Sequence, residues 1–154
     1  VVWIVATDQT TKYIIDRTMP LNHSVSLIDN VFSLTYIRNT GAAFGIFAGS
    51  SAGFRLPFLV LVSVAAIGFI LMMLKRLRNG ETGLIMALAF ILGGAIGNLI
   101  DRIVYGEVID FLDVYWSSYH WPAFNVADSF ITVGVAITVY YLMRAKGEDP
   151  FAVR

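Results

Sequence analysis

Asp128 stands in FNVADSFITV (124–133), at the mouth of a long apolar run and one turn after Asn125. An ionisable side chain inside a membrane segment costs about 2.5–3.5 kcal/mol on insertion scales, so it marks either chemistry or a paired structural site. Two more acids, Asp110 and Asp113, lie in VIDFLDV just beyond another apolar run. The stretch between can loop back and bring one of them opposite Asp128. Two carboxylates in one site cannot both ionise easily. Near neutrality such a pair holds one proton, one member acting as a base toward water and the other as an acid, and it titrates as a unit. That is aspartyl-protease chemistry, which calls for no metal, no cofactor and no covalent intermediate. Spacing alone leaves Asp110 and Asp113 as equal candidates.

Further polar residues accompany these acids. GGAIGNLIDR (93–102) sets Gly94, Asn98, Asp101 and Arg102 along one helical stripe at i, i+4, i+7 and i+8. Gly93 and Gly97 form a small-xxx-small pair on the adjoining stripe, which lets another helix approach closely. The polar stripe is read as facing the bundle interior; the plainer alternative makes Asp101 and Arg102 an anchor at the helix end. Asp8 and Lys12 lie at i and i+4 with the acid first, the favourable order for an ion pair, and are read as a buried, self-neutralising structural pair.

Rival chemistries fit less well. A zinc protease needs a ligand cluster of the HExxH kind, whereas the two histidines, His23 and His120, stand far apart in sequence. GSSAG (49–53) matches G-x-S-x-G, but a nucleophile elbow requires a strand running into a helix beneath a sheet, and this match sits in a small-residue loop. Ser/Lys catalysis through Lys12 is set against Asp8 on the same helix face. A transporter or proton channel would also place Asp, Asn and Arg in membrane helices, yet here they gather at one end of the runs.

The elements that must position these residues are written in the hydropathy. Of 154 residues, 57% are hydrophobic and 14% charged, against about a quarter charged in a typical soluble domain; mean hydropathy is +0.71. Residues 57–74, 84–100 and 129–143 form apolar runs, the last reaching back to 122. A span takes roughly 20 such residues. A fourth run begins at residue 1, without Met and already in mid-pattern, so further residues are expected upstream; it lacks the basic start and cleavage site of a secretory signal peptide. The expected fold is one α-helical, polytopic membrane domain over 1–154, with helices near 1–17, 54–77, 83–104 and 122–145. Lys75, Arg76, Arg78, Arg144 and Lys146 put the inner loop and both termini in the cytoplasm by the positive-inside tendency. Segments near 18–53 and 105–121 then lie outside. In the first, Phe32, Leu34 and Tyr36 alternate with Ser33 and Thr35 behind a turn at Asp29–Asn30, the pattern of a half-buried hairpin. This predicts a small β platform within about 20–45. Tyr115, Trp116, Tyr119 and Trp121 crowd the second segment as an interfacial aromatic belt. Cysteine is absent, and the net charge is zero with no broad basic patch, which excludes disulfides and argues against nucleic acid as a partner.

Five blocks taken together, DQTTK (8–12), NTGAAF (39–44), GGAIGNLIDR (93–102), VIDF (108–111) and FNVAD (124–128), resemble those of bacterial lipoprotein signal peptidase, signal peptidase II, in order and spacing across nearly the whole chain. The resemblance implies an aspartic endopeptidase of the bacterial cytoplasmic (inner) membrane. Such an enzyme cuts lipid-modified prolipoproteins just before a cysteine carrying diacylglycerol, works among membrane lipids near the extracytoplasmic face, and binds the cyclic peptide inhibitor globomycin. It implies Asp110 and Asp128 as the catalytic pair, in preference to Asp113. Asn39, Gly41, Ala42, Ala43, Asn98, Asp101, Arg102 and Asn125 match positions that shape the site or contact substrate or inhibitor. Asp8 and Lys12 match residues tied to stability. The expected assembly is a monomer.

Overall fold

The computed structural model describes residues 1–41, 51–77 and 81–144. Ala42, Ala43, Arg78 and Lys146, together with residues 49 and 50 of the GSSAG match, lie outside the described residues.

The described chain runs α1 (Val2–Thr18), β1 (Ser24–Ile28), β2 (Phe32–Asn39), α2 (Ala52–Arg76), α3 (Thr82–Tyr105), β3 (Val108–Trp116), β4 (Tyr119–His120) and α4 (Val126–Arg144). Among the described residues, three helices are long and apolar enough to cross a membrane: 53–76, 82–105 and 126–144. Helix α1 falls short of that measure, because it has 17 residues and carries Asp8, Lys12, Asp16 and Arg17.

Helix α3 is the hub, and its glycines make it so. A Cβ on Gly94 would lie 2.3 Å from the Ala127 carbonyl oxygen of α4, and one on Gly97 would lie 2.5 Å from Asp8 Oδ2 of α1. Only bare backbone lets both neighbours approach this closely. On another face, Leu88 and Leu92 pack against Ile70 of α2. Gly106 ends α3 in the left-handed conformation at φ 76, its N–H bonded to the Arg102 carbonyl at 3.1 Å. This is the usual glycine stop, and it turns the chain directly into β3.

The four strands form one antiparallel run in the order β1-β2-β3-β4. The expected hairpin is present, with its turn closed by Val31 N–H to the Ile28 carbonyl at 3.1 Å and Asn30 at φ 63. Strand β3 falls in the segment near 105–121, for which the sequence predicts only an outer aromatic belt. Its side chains take the two faces in turn. Ile109 and Phe111 join Tyr36 and Ile15 of α1 in an apolar core, while Val108 and Asp110 take the opposite face. The β2–β3 register slips between Leu34 and Ile37, so that Leu34 opposes Leu112 but Ile37 opposes Asp110. One extra residue in β2 has two effects. Tyr36 is thrown into the core, and Asn39 comes onto the face that carries Asp110. Without the bulge Asn39 would point the other way.

The start of α4 also differs from the sequence reading. The helix begins at Val126, not near 122, because Phe124 is extended and bridges to Leu112 of β3. Phe111 N–H and Leu112 N–H both donate to the Phe124 carbonyl, at 3.0 and 2.8 Å, and Phe124 N–H returns to the Leu112 carbonyl at 3.0 Å. That pairing delivers Asn125 to the helix start beside Asp110.

Candidate active site

Asn125 caps α4, and its bonds are reciprocal: its Oδ1 accepts from Asp128 N–H at 2.9 Å, while Asp128 Oδ2 accepts from Asn125 N–H at 3.2 Å. This is a capping box with Asp at the fourth position. It fixes the Asp128 carboxylate against the helix end. The amide of Asn125 meanwhile donates to Asp110 Oδ1 at 2.8 Å, to the Ile109 carbonyl at 3.2 Å and to Asn98 Oδ1 at 3.1 Å. One fully buried asparagine therefore touches both acids.

Each acid has a second amide. Asn39 Nδ2 donates to Asp110 Oδ2 at 2.9 Å, and Asn98 Nδ2 donates to Asp128 Oδ1 at 2.8 Å. Asn39 is itself held, its Oδ1 accepting from Gly41 N–H at 2.9 Å. All four carboxylate oxygens thus accept from neutral donors. Burial pushes the Asp110 carboxyl up to about 7, with the charge of Asp128 next in importance; the bonds from Asn39 and Asn125 and the charge of Lys12 pull the other way. A carboxyl so placed can hold a proton at neutral pH.

Both acids line a cavity of about 790 Å³ whose walls include Asn39, Arg102, Trp121, Phe124 and Ile131. Arg102 reaches over it from α3, donating to the Asn98 carbonyl at 3.3 Å and the Gly41 carbonyl at 3.2 Å. A cavity of this volume, with apolar walls and a few convergent polar groups, is suited to an extended chain of mixed character.

The structure separates Asp113 from this site. Three residues on from Asp110 in the same strand it faces the other way, and both of its oxygens lie 3.0 Å from His120 Nδ1. Asp8 and Lys12 do pair, at 2.9 Å, but they are not alone: Lys12 also meets Asp101 Oδ2 at 2.9 Å and Asn98 Oδ1 at 3.0 Å. Asp101 is therefore a partner of Lys12 and does not line the cavity. Two further residues take part that the sequence does not mark as site residues. Gln9 bridges Asp8 and Asp101 at 3.2 and 2.9 Å. Arg38 lines the cavity while bonding Tyr36 and Asp16 behind it, Nε to the Tyr36 hydroxyl at 2.8 Å and Nη2 to Asp16 Oδ1 at 2.7 Å. No alternation in β2 flags Arg38, because as the neighbour of Asn39 it belongs to the opposite strand face.

Known proteins carry the same arrangement of chain. A lipoprotein signal peptidase of Geobacter sulfurreducens is 56% identical over 139 residues, covering 90% of this chain and 86% of that protein. That of Syntrophotalea carbinolica is 48% identical over 134 residues, covering 87% and 82% respectively. A solved bacterial membrane enzyme superimposes with a TM-score of 0.85 at 31% identity, over 99% of this chain and 91% of that one. The model of the family described as "Signal peptidase (SPase) II" matches residues 1–144, and fold and sequence agree: this chain belongs to the signal peptidase II family.

Proposed function

We propose that this chain hydrolyses the bond before the lipidated cysteine of a prolipoprotein, with Asp110 and Asp128 sharing one proton across an attacking water. Membership of the family makes the protein an aspartic-type hydrolase that removes signal peptides from prolipoproteins. The observation that carries the residue assignment is the pair of carboxylates, held by asparagine amides, that line the cavity. The deprotonated member takes a proton from water as it attacks the carbonyl carbon. The protonated member donates to the carbonyl oxygen and then, as the tetrahedral intermediate collapses, a proton passes to the leaving amine. Asn39, Asn98 and Asn125 orient the acids; Arg102 and the Gly41 carbonyl offer a donor and an acceptor to the substrate backbone. Ala42 and Ala43 belong to the same proposal on family resemblance alone.

The reading includes a topology. Helix α1 serves as a fourth span, since Asp8 and Lys12 turn inward while Val2, Trp3, Tyr13 and Ile14 stay exposed, a face suited to lipid. Lys75, Arg76 and Arg144 favour cytoplasmic inner ends. The sheet and the acids then meet the outer leaflet, where a diacylglyceryl anchor holds the scissile bond at their depth. The enzyme works as a single-domain monomer in the inner membrane and its cavity accepts globomycin-type cyclic peptides.

The test is cleavage by purified protein in lipid of one prolipoprotein sequence, with and without diacylglycerol on its cysteine. Cutting of the lipidated form alone, undiminished by chelators or serine-directed reagents, is the expected result. Equal cutting of both forms would contradict the substrate assignment. Proton flux through sealed vesicles would revive the channel alternative.

A further inference from the structure

Among the large side chains buried most completely are Lys12, Asp8 and Asp101, with 1%, 0% and 0% of their surface exposed. Hydrophobic replacement of buried ions is often neutral or stabilising, so cohesion alone is a weak reason for three charges in a membrane bundle. Their bonds suggest another.

Lys12 has three N–H donors and three acceptors: Asp8 Oδ2 at 2.9 Å, Asp101 Oδ2 at 2.9 Å and Asn98 Oδ1 at 3.0 Å. Each acid then holds the backbone next to one member of the dyad. Asp8 Oδ1 accepts from Ala127 N–H at 2.9 Å, the residue before Asp128. Asp101 Oδ2 accepts from Ile109 N–H at 3.1 Å, the residue before Asp110. The ammonium joins these two arms, and its third bond fixes the Asn98 amide with its oxygen toward Lys12 and its nitrogen on Asp128, 2.8 Å away. Strand β3 and helix α4 come from distant parts of the sequence, yet both are referenced to this one nitrogen.

We propose that Asp8, Lys12 and Asp101 form a caliper that sets the separation of the two catalytic carboxylates, and that Lys12 is a positioning residue of the reaction, acting through Asn98. The inference rests on the assignment of Asp110 and Asp128 as the dyad. The arms hold main chain, so they locate the acids without lining the cavity. The charge of Lys12 also lowers the Asp110 carboxyl relative to what burial alone would give.

The test compares Lys12→Met with a charge-free triple variant, Asp8→Asn/Lys12→Met/Asp101→Asn, on lipidated substrate, with thermal unfolding measured alongside. Lys12→Met is expected to lose about 100-fold in kcat, the scale of a small misplacement at the reacting atoms, with KM within about threefold and the alkaline limb of the pH profile moved upward. Because Lys12→Met leaves two buried acids uncompensated, it can fail to fold; the triple variant removes that penalty and settles the question. It is expected to unfold at or above the wild-type temperature and still lose at least about 10-fold in kcat. A folded triple variant with wild-type kcat would overturn the caliper, and so would a triple variant that does not fold, since the triad would then be plain scaffolding. Asp110→Asn is run beside them: activity there counts against the dyad itself, whereas an inert Asp110→Asn next to a fully active triple variant counts against the caliper alone.

Discussion

Two clusters of buried acid lie against each other where α1, α3, β3 and α4 meet, and they are treated in opposite ways. Asp8 and Asp101 share the ammonium of Lys12 at 2.9 Å each. Asp110 and Asp128 accept from asparagine side chains and backbone, neutral donors throughout among the described residues. A paired acid has its charge balanced by a fixed cation. An acid given only neutral donors and a like-charged neighbour stays free to exchange a proton. On the proposed assignment the same residue type, at similar depth, serves as frame in one cluster and as reagent in the other, and the counter-ion marks which.

The sharpest way to break that contrast is to neutralise the reagents. Asp110→Asn and Asp128→Asn are each expected to lose about 10⁴-fold in kcat for lipidated substrate, and the double variant little more, because groups that act as a unit are strongly non-additive. Additive losses would mean two independent roles. Next comes the link between the clusters. Asn98→Ala removes the amide that joins Lys12 to Asp128 and should cost about 100-fold in kcat with the protein still folded; a change confined to KM would make Asn98 a substrate contact instead. Smaller again is Asn39→Ala. Its bond lowers the Asp110 carboxyl, so its loss should move the alkaline limb of kcat/KM to higher pH, and an unmoved limb would detach Asn39 from Asp110.

The weakest effect concerns stability. Asp110 is raised from 3.8 to about 7 in the folded protein. A group raised on folding contributes stability that is complete below its unfolded value and is lost as pH rises through its folded value. Between about pH 4 and 7 the wild-type protein should therefore lose stability that Asp110→Asn keeps, and the variant's relative melting temperature should climb by a few °C over that window. A constant difference would show that Asp110 is not held protonated. Asp113→Asn breaks only the contact with half-exposed His120 and should leave kcat within about twofold, as expected of a partly exposed pair.

Much of this arrangement was legible in the sequence, and what was hidden was hidden for physical reasons. Apolar runs gave the helices because a span needs length and little else. The i,i+4 spacing gave the Asp8–Lys12 pair, but not Asp101, since a third partner on another helix has no fixed offset; Gly97, where a Cβ would meet Asp8 at 2.5 Å, was the faint clue. Asp110 and Asp113 could not be told apart by spacing because β3 went unseen. Its first residues are buried on both faces, which blurs the alternation by which strands are recognised. Once the strand is drawn, their odd separation sends them to opposite faces. The bulge that turns Asn39 toward Asp110 is a matter of register between strands some 70 residues apart, beyond any local pattern. The capping box at Asn125 and Asp128 is legible as N-x-x-D only if the helix starts after Asn125 and not near 122.

Whether Asp110 and Asp128 share one proton near neutrality is tested most directly by kcat/KM measured against pH, since that profile reports the free enzyme's essential acid and base. A shared proton predicts a bell whose alkaline limb lies at about 7, where the Asp110 carboxyl is placed. A profile flat from pH 6 to 9 would contradict it.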